Sequence, residues 1–232
     1  TGIGGGASLA FARAGARVLA HYHGGGDELK AIEAAGIKTI RLDLTQKGGP
    51  DALIAEAMKL FGRIDVLVNN AGTLVARTAL ADLTDDFIDK VFDVNCRQLV
   101  HCCRLAADEM MKQKEGAIIN VTSIAARQGS SAGGSVYAGA KGFVSSFTKT
   151  IAKELVGHGI RVNAVSPGTI YTAFHTRYSS AEKLAATAKA IPMQRLGTAD
   201  DCAGTFLYLA SAQASGYVTG QVVEVNGGQL MP

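Results

Sequence analysis

No stretch of this sequence stays apolar for the length a membrane-spanning helix requires, which argues against a membrane protein. No block of lysine and arginine stands out, and a formal net charge of +3 is too weak to mark a nucleic-acid or lipid surface. No C-x-x-C pair occurs among Cys96, Cys102, Cys103 and Cys202, so a zinc site is not expected. Adjacent Cys102 and Cys103 fall in a helical stretch and read as small core or interface residues. No signal peptide is recognisable, and reduced thiols suit a cytoplasmic protein. Linkers, repeats and low-complexity tracts are missing too, so residues 1–232 read as one domain.

What is present is an ordinary globular composition, 47% hydrophobic and 19% charged, in a chain long enough for one sizeable α/β core. Short apolar runs alternate with longer helical patterns. Strands are expected at Arg17–His21, Thr39–Leu42, Val66–Asn69, Ala117–Val121, Arg161–Val165 and Val222–Val225. Helices are expected at Asp27–Ala35, Asp51–Phe61, Asp85–Phe92, Cys96–Lys112, Val136–Val156 and Ala199–Leu209. Thr84 is a good N-cap, followed by Asp85 and Asp86, which suit a helix N-terminus. Unbroken apolar strands, each followed by a helix, predict a parallel sheet covered on both faces: the doubly wound, Rossmann-like α/β architecture. Such sheets bind ligands beyond the carboxyl ends of their strands, where Asn69–Gly72, Ser123 and Pro167-Gly168 fall.

Gly2-Ile3-Gly4 precedes a helical pattern. Small residues there let backbone N–H groups approach a pyrophosphate, and the helix dipole favours the anion. Tyr137 and Lys141 are spaced i, i+4, which puts phenol and ammonium on one helix face. A nearby cation is expected to lower the tyrosine pKa from about 10 and so make a usable general acid/base. In isolation the pair reads as an ordinary surface Tyr/Lys pair, and the glycines as a flexible end.

The order of these motifs resembles the short-chain dehydrogenase/reductase family. Gly2-Ile3-Gly4, Asn69-Asn70-Ala71-Gly72, Ser123, Tyr137-x-x-x-Lys141 and Pro167-Gly168-Thr169-Ile170-Tyr171-Thr172 follow one another as in that family. Gly216–Val222 and Val225–Gly228 add to the likeness. The resemblance implies a single-domain oxidoreductase that moves a hydride between a nicotinamide cofactor and a ketone or secondary alcohol. It implies that Tyr137 exchanges the proton, that Lys141 lowers its pKa and binds the nicotinamide ribose, and that Ser123 holds the substrate oxygen. Asn95 would hold a water that relays protons through Lys141; the alternative is a plain cap of the helix that follows it. Thr122 is a competing hydroxyl, but strand alternation turns it away from Ser123. Asp43-Leu44 would contact adenine, Asn70-Ala71-Gly72 would line the crevice, and Ile170 and Thr172 would meet the carboxamide. The branches most alike are 3-oxoacyl-carrier-protein reductases and sugar or alcohol dehydrogenases. Two other readings are a cofactor-binding protein without turnover and an epimerase or dehydratase of the longer related family. The short segment Ala173–Leu196 disfavours the latter.

The pattern departs from the family in three places. Members carry a first strand and a longer glycine loop. Gly2-Ile3-Gly4 matches the end of that loop, which puts the first strand upstream of Thr1; alternatively Thr1-Gly2 opens the loop. The helix after the second strand is short, and the Ser123–Tyr137 interval is long, with the excess in Gly129–Gly134. The strand end His21-Tyr22-His23-Gly24 holds no carboxylate before Asp27, which favours NADP(H) over NAD(H), with Tyr22 and His23 at the ribose. Apolar residues on two helices, among them Leu99, Cys102, Cys103, Phe143, Val144 and Phe147, predict a homotetramer or homodimer. His175, Tyr178 and Met193 are expected near the substrate.

Overall fold

The computed structural model describes residues 2–24 and 27–231, without the side chains of residues 27 and 28; Thr1 lies outside it. Apolar strands and amphipathic helices alternate as the sequence patterns require. Helix α1 (Gly2–Arg13) leads into β1 (Leu19–Tyr22), α2 (Asp27–Ala34) and β2 (Lys38–Arg41). Then come α3 (Gly49–Phe61), β3 (Val66–Asn69), α4 (Asp85–Phe92), α5 (Gln98–Gln113) and β4 (Gly116–Val121). A short α6 (Ala125–Gln128) precedes the long α7 (Ser135–Leu155) and β5 (Ile160–Pro167). The chain finishes with α8 (Ala173–Tyr178), α9 (Ala181–Ala190), α10 (Ala199–Ala210), α11 (Ala212–Ser215) and β6 (Val222–Val225).

Local chemistry sets several boundaries. The Thr84 hydroxyl accepts the Phe87 N–H at 3.2 Å and opens α4. Thr198 and Asp201 form a reciprocal capping box that opens α10. Gly62 closes α3 at a φ of 73°, the left-handed region that favours glycine.

All strand pairs are parallel. β3, β4, β5 and β6 form one sheet in that order, while β1 and β2 pair only with each other. Asn69 is opposite Asn120, and Val121 opposite Val165, so the carboxyl ends of β3, β4 and β5 come out on one edge. Every residue of β4 is buried, as expected of a strand covered on both faces. On one face Leu99, Met110, Ile118, Val144 and Ile160 form a core with α3, α5 and α7. On the other, Ile119, Val165, Cys202 and Phe206 pack with α1 and α10. Those two layers are the doubly wound architecture. Among the described residues, no strand bridges β1 and β3. A deep crevice runs between them, in the place where a doubly wound sheet has its first strand. No described helix is long and apolar enough to cross a membrane.

The four cysteines are free and buried, and Cys102 and Cys103 lie in the interior, as the core reading of that pair expects. Leu99 and Val144, counted toward a subunit interface, are likewise buried inside the chain. α5 packs against both α3 and the sheet, and Leu99, Cys103, Ala106 and Met110 of its apolar stripe enter the core, while His101, Arg104 and Asp108 stay exposed. Helices α4 and α5 are not separated by a break: one π-helical turn, Asp93–Arg97, joins them.

Candidate active site

The site assembles where strand ends and helix starts meet. α1 begins at the crevice because its glycines permit close approach. A Cβ on Gly4 would lie 2.6 Å from Asn70 Nδ2, and one on Gly2, whose φ is +57°, 3.3 Å from Thr172 Cγ2. Side chains there would fill the cradle, so the sequence leaves it to backbone, as a dinucleotide phosphate site needs. Asn70, Ala71 and Gly72 continue from β3, and the Gln98 amide donates to Ala71 O at 3.1 Å to pin that loop. Pro167, Gly168, Ile170 and Thr172 continue from β5.

The end of the crevice at the carboxyl ends of the strands is bounded by Gly2–Gly4, Tyr22, His23, Leu44, Asn70–Gly72, Ser123, Tyr137, Lys141 and the segment after β5. These are the predicted site residues except Asn95 and Asp43. Asn95 sits buried behind Gly72. Asp43 is turned aside: its carboxylate accepts the Thr45 N–H at 2.9 Å and the Thr45 hydroxyl at 2.6 Å. Those bonds hold it below the usual carboxylate range. Met193, expected near the substrate, is 66% exposed and outside the crevice.

Helix α7 presents Tyr137 and Lys141 on one face, with the ammonium 5.7 Å from the phenol ring centroid. Ser123, just past β4, hydrogen-bonds the Tyr137 hydroxyl. Its own Oγ accepts the Ala125 N–H at 3.2 Å at the start of α6, which fixes its position. Thr122 points the other way, as alternation predicts; its hydroxyl donates to Lys141 O at 2.8 Å. Lys141 is 4% exposed and donates to Val121 O at 2.9 Å.

The expected depression of the tyrosine pKa by Lys141 does not appear in this ligand-free site. Burial pushes Tyr137 up to about 12, and the Ser123 hydrogen bond opposes it only in part. Burial likewise pulls Lys141 from 10.5 down to about 8. Each charged form loses more solvation than its partner returns at this separation.

Asn95 lies in the π-turn and caps nothing. Its Nδ2 donates to Thr73 O at 2.8 Å and to Val91 O at 2.9 Å. Its Oδ1 is buried without a hydrogen-bond partner among the described residues.

Some neighbours had no local signal in the sequence. Phe174 of α8 stands 5.9 Å, centroid to centroid, from Tyr137. Arg77 donates to Tyr178 O at 3.1 Å and to Ala132 O at 3.1 Å, tying α8 to the loop before α7. The Tyr178 hydroxyl shares a hydrogen bond with the Thr73 hydroxyl at 2.9 Å. Arg41, at the end of β2, donates to His23 O at 3.2 Å beside the crevice rim.

Comparison with known proteins agrees with this geometry. Residues 1–229 match a family model described as Enoyl-(Acyl carrier protein) reductase. The chain is 38% identical to a 3-oxoacyl-[acyl-carrier-protein] reductase from Synechocystis sp., over 99% of this chain and 93% of that protein. Among solved structures, the NADH-dependent reductase A1-R′ complexed with NAD superposes with a TM-score of 0.87 at 33% identity, covering 100% of this chain and 93% of the other. A Serratia marcescens short-chain dehydrogenase/reductase mutant gives a TM-score of 0.89 at 29% identity, covering 98% and 93%. With the motifs in order, the parallel fold around them and relatives aligned over nearly the whole chain, the protein belongs to the short-chain dehydrogenase/reductase family of NAD(P)-dependent oxidoreductases.

Proposed function

We propose that this protein interconverts a ketone and a secondary alcohol, with Tyr137 as proton donor and acceptor and NADP(H) as the preferred cofactor. The convergence of Ser123, Tyr137 and Lys141 on one wall of a glycine-lined crevice supports the assignment. The glycine cradle fits a dinucleotide phosphate, and Gly2, Ile3, Gly4, Asn70, Ala71, Gly72, Pro167, Gly168, Ile170 and Thr172 would hold the cofactor. The nicotinamide supplies or accepts the hydride when bound. Ser123 positions the substrate oxygen at the Tyr137 hydroxyl, which gives its proton to that oxygen in reduction and takes it back in oxidation. Lys141, one turn away, stabilises the phenolate left behind and binds the ribose. The Synechocystis relative's name favours carbonyl reduction as the working direction.

Three features favour NADP(H). His21–Gly24 carries no carboxylate, Asp43 is occupied by Thr45, and Arg41 lies at the rim beside His23. A carboxylate at that strand end would repel a 2′-phosphate, whereas a guanidinium attracts it. The NADH-dependent structural neighbour supports the opposite choice. A panel of ketones and alcohols assayed with both cofactors tests the function. The expected kcat/KM is higher with NADPH, and Arg41→Gln should lower it about tenfold while leaving the NADH value nearly unchanged. A parent enzyme that prefers NADH refutes the cofactor assignment, and one that turns over no carbonyl or alcohol refutes the function.

The functional unit is proposed to be a homotetramer or homodimer. Phe143, 40% exposed on α7, stacks on Phe147 at 5.6 Å, and Phe92 is 37% exposed at the end of α4. Exposed aromatics of this kind are what a self-complementary interface covers. Light scattering at micromolar concentration should give a multiple of 24.0 kDa, and a Phe143→Lys variant should lower it. A parent of monomer mass rejects the assembly.

A further inference from the structure

We infer that the substrate carries its own negative charge: the crevice takes an oxo acid, a ketone whose carboxylate is received by Arg77 and Lys183 beyond Phe174. This rests on the proposed reduction of a carbonyl at Tyr137 and names the class of that substrate. The observation is an imbalance of charge. Arg77, His175 and Lys183 line the crevice beside α8 and α9, and among the described lining residues the one carboxylate is Asp65. Asp65 lies at the other end, before β3, where it accepts the Arg63 Nε–H at 2.8 Å.

The cations are placed by neutral groups and left without acids. Arg77 Nε donates to Tyr178 O at 3.1 Å, and its Nη1 to Ala132 O at 3.1 Å and Ser131 O at 3.4 Å. Its Nη2, with two further N–H donors, bonds nothing among the described residues. Lys183 stands in the first turn of α9, where its backbone N–H donates to the capping Ser180 Oγ at 3.3 Å. Its ammonium has no partner among the described residues. The acid of that turn, Glu182, is engaged at the helix start: it accepts its own backbone N–H and the Ser180 hydroxyl, which hold it below the usual carboxylate range. α9 runs for ten residues, so its dipole adds positive potential at the same turn. The Arg77 charge reaches His175, whose pKa is held below its usual value by burial and then by that guanidinium. Phe174 stands 5.9 Å from Tyr137 and 5.2 Å from His175, centroid to centroid. One ring therefore separates the proton donor from the cations, which suits a short carbon chain between carbonyl and carboxylate. In the proposed complex Arg77 Nη2 donates to one carboxylate oxygen and the Lys183 ammonium to the other.

The test is a series of linear oxo acids that differ in the number of carbons between carbonyl and carboxylate, each assayed beside its methyl ester. The parent is expected to reduce at least one acid with a kcat/KM about tenfold or more above that of its ester, and high salt should shrink the advantage. Arg77→Gln and Lys183→Glu should each lower kcat/KM for that acid about 10–100-fold, through KM more than kcat, and lower the value for the ester far less. Binding of the acid in the presence of oxidised cofactor should raise the His175 pKa, followed by proton NMR of the imidazole, because a neighbouring anion favours the imidazolium; the ester should not raise it. Should Arg77→Gln loosen α8 and slow acid and ester alike, Lys183→Glu decides, since its ammonium holds nothing in the ligand-free chain. Acids and esters reduced equally well, or a Lys183→Glu variant that does not separate them, overturn the inference and leave the ketone assignment standing. So does an oxoacyl thioester of coenzyme A that outperforms every acid, since its phosphates sit at the end of a long arm. A parent that reduces no ketone, charged or neutral, instead refutes the proposed function on which the inference rests.

Discussion

Replacing Tyr137 with phenylalanine will remove turnover and leave the fold standing. The ring keeps its packing against Phe174, and the change deletes one hydroxyl whose hydrogen-bond partner is Ser123. Ser123 remains anchored by the Ala125 N–H, so the strand end does not collapse. What disappears is the transferable proton. General acid–base groups contribute roughly 10²–10⁴-fold, and kcat should fall by at least that range's lower limit. Cofactor Kd, measured by fluorescence, should stay within about threefold, because the glycine cradle is untouched. A variant that keeps more than about a tenth of the parent kcat removes Tyr137 from the mechanism.

Lys141→Met should also abolish activity, and at the same time make the protein more stable below pH 8. The ammonium is buried, and its pKa falls from 10.5 to about 8 because burial penalises the charge. A lysine whose folded pKa lies below its unfolded value opposes folding fully at pH below the folded pKa. The opposition fades as pH rises from about 8 toward 10.5, because the folded protein no longer carries the charge. Methionine keeps most of the volume and removes the charge, at the cost of leaving Val121 O without its bond. The net gain is about 1–2 kcal/mol, or about 2–6 °C in Tm for a chain of this length. The difference between variant and parent should shrink with rising pH. A Tm gain that is absent, or the same at pH 7 and pH 10, contradicts the placement of a buried ammonium; retained activity contradicts its role beside Tyr137. Stability given up at this position is the expected signature of a site built for chemistry.

Much of the architecture was legible in the sequence because its determinants are local. Val66–Asn69, Asp85–Phe92 and Val222–Val225 fall within the same bounds in the structure, since a continuous apolar run or a capped helix start carries its own boundary. The other expected strands and helices differ by at most two residues at either end. Helices α8 and α9 were not read, because Ala173–Leu196 carries no strong apolar stripe and α9 buries only Leu184. The pair proposed for proton exchange was legible for a similar reason: i, i+4 spacing on one helix fixes Tyr137 and Lys141 on one face whatever the rest of the chain does.

Sequence by itself therefore determined the family, the doubly wound order and the residues that meet at the strand ends. Tertiary structure alone decided how those residues are solvated and what stands next to them. Tyr137 is pushed upward in pKa, against the expectation, because desolvation depends on burial by Phe174 and neighbouring elements distant in the chain. Cys102 and Cys103 were read as core or interface residues, and packing of α5 against α3 and the sheet decided for the core. Arg77 reaches carbonyls 54, 55 and 101 residues away, and Arg41 meets His23 across two paired strands. Asn95 gained its orphaned oxygen from a π-turn that shifts its side chain toward Gly72. Spacing along one element is dictated by backbone geometry and can be read residue by residue; distances between elements emerge only when their buried faces pack.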